Sequence, residues 1–453
     1  MKSILIAAPR WLLLASLVYA PWAYGCVRIW TIDVLNRVML LIIVLWLAGG
    51  AARKMKPMVP LLLWASAAFL FLQGWWLIAN AQAYYDRAAY KFLPISNIWS
   101  AAPGAVDQLD AIPAMLRLTG LLGITCFVAD LARREVWRQR IWWTIGGCGG
   151  SLILFGLIQR ILGAPMIFWE EGRTGENFFA TYYYHGNAGA FINLVLPPIA
   201  GLALIAFQAR EATLQKALWG PALLIALAGA AATASKAAIV ITLLLTGAFV
   251  LWRARLLIGA WLSVPSKMVR FISLAAILIS LATLCWFGWD RMKHRWAEEQ
   301  WVAFSYSTRL LVYQQCLWMV SDSGLWGFGP GNFEITFPHY TYALDNKVAG
   351  VWEYAHEDYL QTLIEWGWIG AAVWTIPFFG GMIAGLRTYW RERGGLSSAD
   401  RTLLFTTLLS LLGVALHASV DFPLQIASLQ LYVAVFLGMA WGSASWKPSR
   451  VPV

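Results

Sequence analysis

The chain has 453 residues, 60% of them hydrophobic and only 13% charged, with a formal net charge of +11. That balance, with a mean hydropathy of +0.62, excludes an ordinary soluble domain and describes a membrane protein. Its basic residues lie in short loops between apolar blocks and form no patch on a folded soluble domain, so a nucleic-acid partner finds little support.

The apolar blocks are near the roughly 20 residues that cross a bilayer as a helix. In chain order the expected spans are 4–24, 33–51, 58–79, 112–131, 141–162, 187–207, 217–233, 237–252, 271–289, 362–386, 402–420 and 424–443. The first has no clear small-residue cleavage site and reads as a retained helix, not a signal peptide. The seventh and eighth are separated only by Ala234-Ser235-Lys236. Twenty-eight Trp and sixteen Tyr suit aromatic belts at two membrane interfaces. Basic residues gather in alternate loops: Arg53/Lys54/Lys56, Arg133/Arg134/Arg138/Arg140, Arg210/Lys216, Arg253/Arg255/Lys267/Arg270 and Arg387/Arg391/Arg393/Arg401. The positive-inside rule makes these loops and both termini cytoplasmic.

Three segments then face outward. The first, 80–111, is rich in Pro and aromatic residues; the second, 163–186, carries Glu170, Glu171, Arg173 and Glu176, then Tyr182-Tyr183-Tyr184-His185-Gly186-Asn187. The third, 290–361, is the only one large enough for a small extramembrane subdomain. The chain accordingly divides into 1–289 (nine spans), 290–361 (the large loop) and 362–453 (three spans and the C-terminus). Within the large loop, Leu310, Tyr313, Leu317 and Val320 recur at helical spacing and predict an amphipathic helix around 306–322. Five scattered Cys without a CxxC pair give neither a disulfide nor a metal framework.

The chemistry-bearing residues cluster at loop and helix boundaries. Ala355-His356-Glu357-Asp358 sits where the large loop enters the tenth span. Ionisable groups held at membrane level are costly and suggest a working site. Taken singly, His356 is as well explained by a helix-start or interfacial role, and Arg309 by a cap at the surface. Lys236, between two apolar helices, is a cation that wants an anionic partner. Glu357 and Asp358 lack the further carboxylates of a divalent site; either could orient His356 or tune its pKa, against the reading of both as helix N-terminal acids. His417 and Asp421 bracket a helix end before Pro423, where a structural hydrogen bond closing the turn competes with substrate contact. His185 and Asn187 open the sixth span as caps or sugar ligands. Gly327-Phe328-Gly329-Pro330-Gly331 looks like a phosphate loop only superficially, since it follows a helix, and reads as a structural turn.

Together these motifs resemble the O-antigen ligase and polymerase superfamily of integral membrane glycosyltransferases. The resemblance runs along most of the chain. It is carried by Ser100-Ala-Ala-Pro-Gly104, the His185–Pro197 segment, Ser235-Lys236, Ser307-Thr-Arg309, Gly324–Phe333, the His356 segment and His417–Gln425. It implies an all-α polytopic fold of about twelve helices related to the GT-C type, with one large periplasmic loop. It implies a multi-pass protein of the bacterial inner membrane whose site faces the periplasm. The implied donor is a glycan on polyprenyl (undecaprenyl) pyrophosphate, transferred to a hydroxyl of lipid A-core or another glycan acceptor without nucleotide, metal or other cofactor. By the same resemblance His356 falls on an essential histidine and Arg309 on a functional arginine. Lys236 stands where the family usually carries a second arginine, which keeps the charge but loses the bidentate fork.

The residues suit that chemistry. An imidazole can take the acceptor's proton near neutral pH, and Arg309, Lys236 and Arg173 can neutralise the leaving pyrophosphate. The spans around 113–131 and 362–443 would then offer the lipid of the donor a lateral groove. A ligase is favoured over a polymerase because one large loop carries the motif set. A transporter would need internal repeats and charges near the bilayer midplane, which the chain does not display.

Overall fold

The computed structural model describes residues 2–170, 177–209, 213–262, 299–348, 350–391 and 395–446. The chain is an all-α polytopic membrane protein, and among the described residues 11 helices are long and apolar enough to cross a membrane. They are α1 (Lys2–Trp22), α2 (Ile29–Ala51), α3 (Leu61–Ala79), α4 (Gln108–Leu131), α5 (Glu135–Ile161), α6 (His185–Gln208), α7 (Thr213–Ala232) and α8 (Lys236–Leu262). After the large loop come α11 (Asp358–Thr375), continued through a π-helical turn at Ile376–Gly380 into α12 (Gly381–Arg391), then α13 (Ser398–Ala418) and α14 (Ala427–Gly442). The expected ninth span, 271–289, and the charged stretch 290–298 lie outside the described residues, as does Arg173.

α6 and α14 form the centre and are buried over most of their length. Small residues let the backbones close in, as expected where lipid removes any hydrophobic drive for helix association. A Cβ on Gly438 would stand 2.7 Å from the Thr125 carbonyl oxygen of α4, and one on Gly442 2.5 Å from that of Ala129. Interior polar groups find partners across helices: Thr242 donates to Asn193 Oδ1 at 2.6 Å, Ser410 to the Leu194 carbonyl at 2.7 Å and Tyr432 to the Leu17 carbonyl at 2.8 Å. The outer helices keep large apolar side chains exposed, including Leu72, Leu214 and Leu251, as a lipid-facing rim requires.

The two ends of the bundle differ. One carries a buried ion pair, Arg138 Nη2 to Asp400 Oδ2 at 2.8 Å. The other carries the longer loops. There the Pro-rich segment folds into an antiparallel hairpin of β1 (Ala83–Asp86) and β2 (Lys91–Pro94), a small sheet absent from the all-helical expectation. Aromatic cross-strand pairing holds it, with the Tyr85 and Phe92 ring centroids 5.0 Å apart.

The large loop has its own core. α9 (Glu299–Ser323) and α10 (Phe333–Thr341) bury Val312, Cys316, Met319, Val320, Phe333 and Phe337 against Ala355 and Ile364. The expected apolar face of α9 is thereby corrected. Of Leu310, Tyr313, Leu317 and Val320, the two leucines are half exposed and only Val320 belongs to the buried stripe. Two stripes of the same helical period run down this helix, and the position of α10 and α11 selects between them.

The Gly-rich turn mends a broken helix. Gly367 interrupts α11 at φ +62, leaving backbone groups that the turn satisfies: Phe328 N–H donates to the Ile364 carbonyl at 2.9 Å and Gly329 N–H to that of Glu365 at 3.0 Å. Gly327, Gly329 and Gly331 all have positive φ, and a Cβ on Gly327 would sit 2.3 Å from the Glu365 carbonyl oxygen. Asn332 ties the turn to the first loop, accepting from Asp107 N–H at 2.5 Å while Asp107 caps α4.

Candidate active site

His356 is the last residue but one before α11, and its neighbour Glu357 caps that helix by accepting from Leu360 N–H at 2.5 Å. Asp358 is buried and accepts from Leu424 N–H and Gln425 Nε2, each at 2.9 Å. These two acids therefore fix the helix start and pin the 422–425 segment to it. That tie brings Asp421, 65 residues further along the chain, to His356: Nδ1 stands 3.3 Å from Oδ1. The His356 backbone has φ +56, a left-handed conformation uncommon for a residue with a side chain. Its carbonyl is held by the Tyr313 hydroxyl at 2.9 Å. Trp352 and Phe422 meet the imidazole edge-on, with centroids 5.3 and 4.6 Å away. Such packing fixes the ring plane and leaves Nε2 available.

Asp421 is nearly buried. Burial pushes its carboxyl up, but the His356 hydrogen bond, His417 and Arg309 pull it down further, and the net position is below the ordinary carboxylate value. It is therefore a fixed anion behind the imidazole. The turn closure that His417 and Asp421 suggested is a backbone feature: Asp421 N–H donates to the His417 carbonyl at 3.0 Å. The His417 side chain is fully buried.

Arg309, on α9, reaches the same place. Burial works against its charge, yet Tyr184 and Asp421 beside it hold its pKa above the ordinary value. The Tyr184 hydroxyl lies within hydrogen-bonding reach of both Arg309 and Asp421. A Cβ on Gly186 would meet Asp421 Oδ2 at 2.6 Å, so the first turn of α6 abuts the pair. Tyr184 stacks on Phe422 at 5.6 Å and Phe422 on Tyr354 at 4.7 Å, a three-ring column beside the imidazole.

This column edges a cavity of about 450 Å³ lined by His356, Asn187, Tyr183, Trp352 and Glu353 among others. Asn187 thus joins His356, while His185 packs its ring against Tyr184 at 4.8 Å. Lys236 is exposed at the first position of α8. Its segment meets α6 one turn beyond the site, where a Cβ on Gly189 would touch Ala238 and Ser235. A larger cavity of about 590 Å³ lies alongside, lined by α4 residues 113–125 and by residues between 361 and 437, and shares Glu353 and Tyr354 with the first. Both stretches belong to the segments from which a lateral groove is expected. Among the described residues no three of His, Cys, Asp and Glu gather as a metal-holding group.

Spacing along the chain could not reveal Tyr184, Tyr313, Trp352 or Phe422 as parts of this cluster, although the Tyr182–Tyr184 run beside His185 was a visible signal. Arg28 was missed as well. It pairs with Glu170 at 2.8 Å, donates to the Tyr183 hydroxyl at 2.7 Å and lies over the Tyr24 ring at 3.7 Å, bracing the second loop at the cavity edge.

Residues 221–375, a stretch that includes Lys236, Arg309 and His356, match the family model described as O-antigen ligase, and this match supports the O-antigen ligase superfamily. At a coarse level the match supports a multi-pass membrane enzyme, and the family it points to implies lipid-linked glycan substrates in general. No curated protein matches the chain.

Proposed function

We propose that the protein transfers a glycan from an undecaprenyl-pyrophosphate carrier to an acceptor hydroxyl at the periplasmic face of the inner membrane, as an O-antigen ligase does onto lipid A-core. The observation that carries this reading is the His356–Asp421 pair, with Arg309 beside it, at a cavity on the loop-bearing end of the bundle. Asp421 accepts from Nδ1–H, which leaves Nε2 with a lone pair directed away from the carboxylate. Nε2 takes the proton of the acceptor hydroxyl as its oxygen bonds to the anomeric carbon. The bond from that carbon to the pyrophosphate oxygen breaks, and its electron pair leaves with the carrier. Arg309 meets the charge developing there, in surroundings poor in water where a fixed cation is strongly felt, and Lys236 adds a second cation from the start of α8. Asp421 steadies the imidazolium, which then releases its proton to water. The donor is already activated, so no nucleotide is consumed.

The test is transfer by purified protein, with chelator present and no nucleotide added. His356→Ala is expected to abolish transfer while leaving folding and membrane insertion largely intact, because the ring is partly exposed at a cavity edge. Retained transfer in this variant, or an absolute need for a divalent metal, defeats the mechanism. Deleting the gene separates the outcomes in cells: core glycolipid without any repeat marks a ligase, and core with a single repeat marks a polymerase.

A further inference from the structure

The larger cavity holds a cation that the transfer chemistry leaves unused. Arg117 of α4 lies inside a membrane-spanning segment and lines this cavity. Among the described residues it makes no hydrogen bond and no ion pair. Tyr354 and Glu365 feel its charge from a distance. Glu365 has its own partners, with Gly331 N–H on Oε2 at 3.0 Å and Gln361 Nε2 on Oε1 at 2.9 Å. A guanidinium at membrane depth is costly and is kept where it meets an anion.

The surroundings say which anion. Beside Arg117 the cavity wall is apolar, with Leu121 and Leu122 of α4, Trp374 and Phe378, and Val433 and Leu437 of α14. A hydrocarbon chain along this wall and a phosphate on Arg117 are complementary to it, and a lipid joins those two parts. Towards the loops the lining turns acidic. Asp110, Glu334 and Glu353 stand there, with Arg87 paired to Asp110 at 3.1 Å and to Glu334 at 3.8 Å. Carboxylates accept hydrogen bonds from sugar hydroxyls and repel a further anion.

We propose that this cavity seats the lipid-anchored acceptor, with its chain on the apolar wall, its phosphate on Arg117 and a hydroxyl-bearing sugar at the acidic mouth. The assignment rests on the transfer reading above. Arg309 adjoins the Tyr184 end of the three-ring column, and Arg117 acts on the Tyr354 end. With the donor's pyrophosphate at the Arg309 end, the acceptor enters from the other, and the shared residues Glu353 and Tyr354 connect its seat to the His356 cavity.

The experiment varies donor and acceptor separately with purified full-length protein in phosphatidylcholine nanodiscs. Arg117→Gln is expected to raise the acceptor KM about tenfold, the loss of one charge-assisted contact, with kcat and the donor KM within twofold. Arg117→Lys should recover most of the affinity. Phosphatidic acid, used as a probe that lacks the donor's prenyl chain, should compete with the acceptor and lose about tenfold in potency against Arg117→Gln. Leu121→Trp, which narrows the chain's seat without touching the charge, should also raise the acceptor KM. An unchanged acceptor KM in both Arg117→Gln and Leu121→Trp overturns the assignment. So does a rise confined to the donor KM, or undiminished inhibition of Arg117→Gln by the probe. Transfer that needs His356 but ignores Arg117 defeats only the acceptor seat, whereas transfer indifferent to His356 defeats the reading beneath it.

Discussion

Replacing Asp421 by Asn is the sharpest probe of the site, because it changes charge and hydrogen-bond direction while keeping shape. The Asn side-chain oxygen can still accept from Phe422 N–H, as Asp421 Oδ1 does at 3.1 Å, so the turn should survive. What disappears is the anion 3.3 Å from His356 Nδ1. A hydrogen bond to a charged partner contributes about 1.5–3 kcal/mol, and about 1.4 kcal/mol is tenfold in rate. Asp421 is nearly buried but His356 is 23% exposed, so solvent stabilises part of the imidazolium charge. The expected loss is therefore about 10- to 100-fold in kcat, with little change in donor or acceptor KM. The assay is turnover per folded molecule, with folding monitored by thermal melting. Stability carries a second signature. A carboxyl whose folded pKa is depressed contributes stability above its unfolded value of about 3.9, and that contribution is lost as pH falls through the folded value. The melting-temperature gap between the native protein and Asp421→Asn should be widest near neutrality and close in strong acid. A kcat within twofold of native, with the fold intact, refutes the pairing as part of the chemistry.

Three further outcomes test other parts of the account. Lys236→Arg should keep substantial transfer and Lys236→Ala lose most of it, whereas Arg309→Lys should be the more damaging swap if the guanidinium grips two phosphate oxygens; a normal rate per folded molecule for Lys236→Ala removes that residue from the site. Gly327→Ala should destabilise the protein by about 2–4 kcal/mol in thermal or denaturant unfolding, since a left-handed backbone and an overlap of the new Cβ both oppose it; the overlap is with the Glu365 carbonyl oxygen at 2.3 Å. Cysteine-accessibility labelling should find position 345 outside and position 395 inside, and labelling of both from one side removes the orientation on which the proposed periplasmic site depends.

Hydropathy alone delivered the membrane class and the helices, because span length and apolar content are local properties of the chain. Eleven of the twelve expected segments correspond to long apolar helices, and the remaining one falls outside the described residues. Motif order along the chain was enough to suggest the superfamily that the 221–375 match supports. Residue type also marked His356, Arg309 and Asp421, but not their relation. Glu357 and Asp358, adjacent in sequence, were the natural partners for His356, yet a helix start turns one into a cap and buries the other beneath the 422–425 segment. The acid that reaches the imidazole comes from the turn before α14, delivered by the packing of α11 against that turn. Burial on α9 followed the same logic, since two stripes share its period and only the neighbouring helices choose between them. The Gly-rich turn could be read as a turn, but not as the partner of a helix broken at Gly367. Local sequence sets which groups are costly to bury; contacts between distant segments decide which of those groups meet.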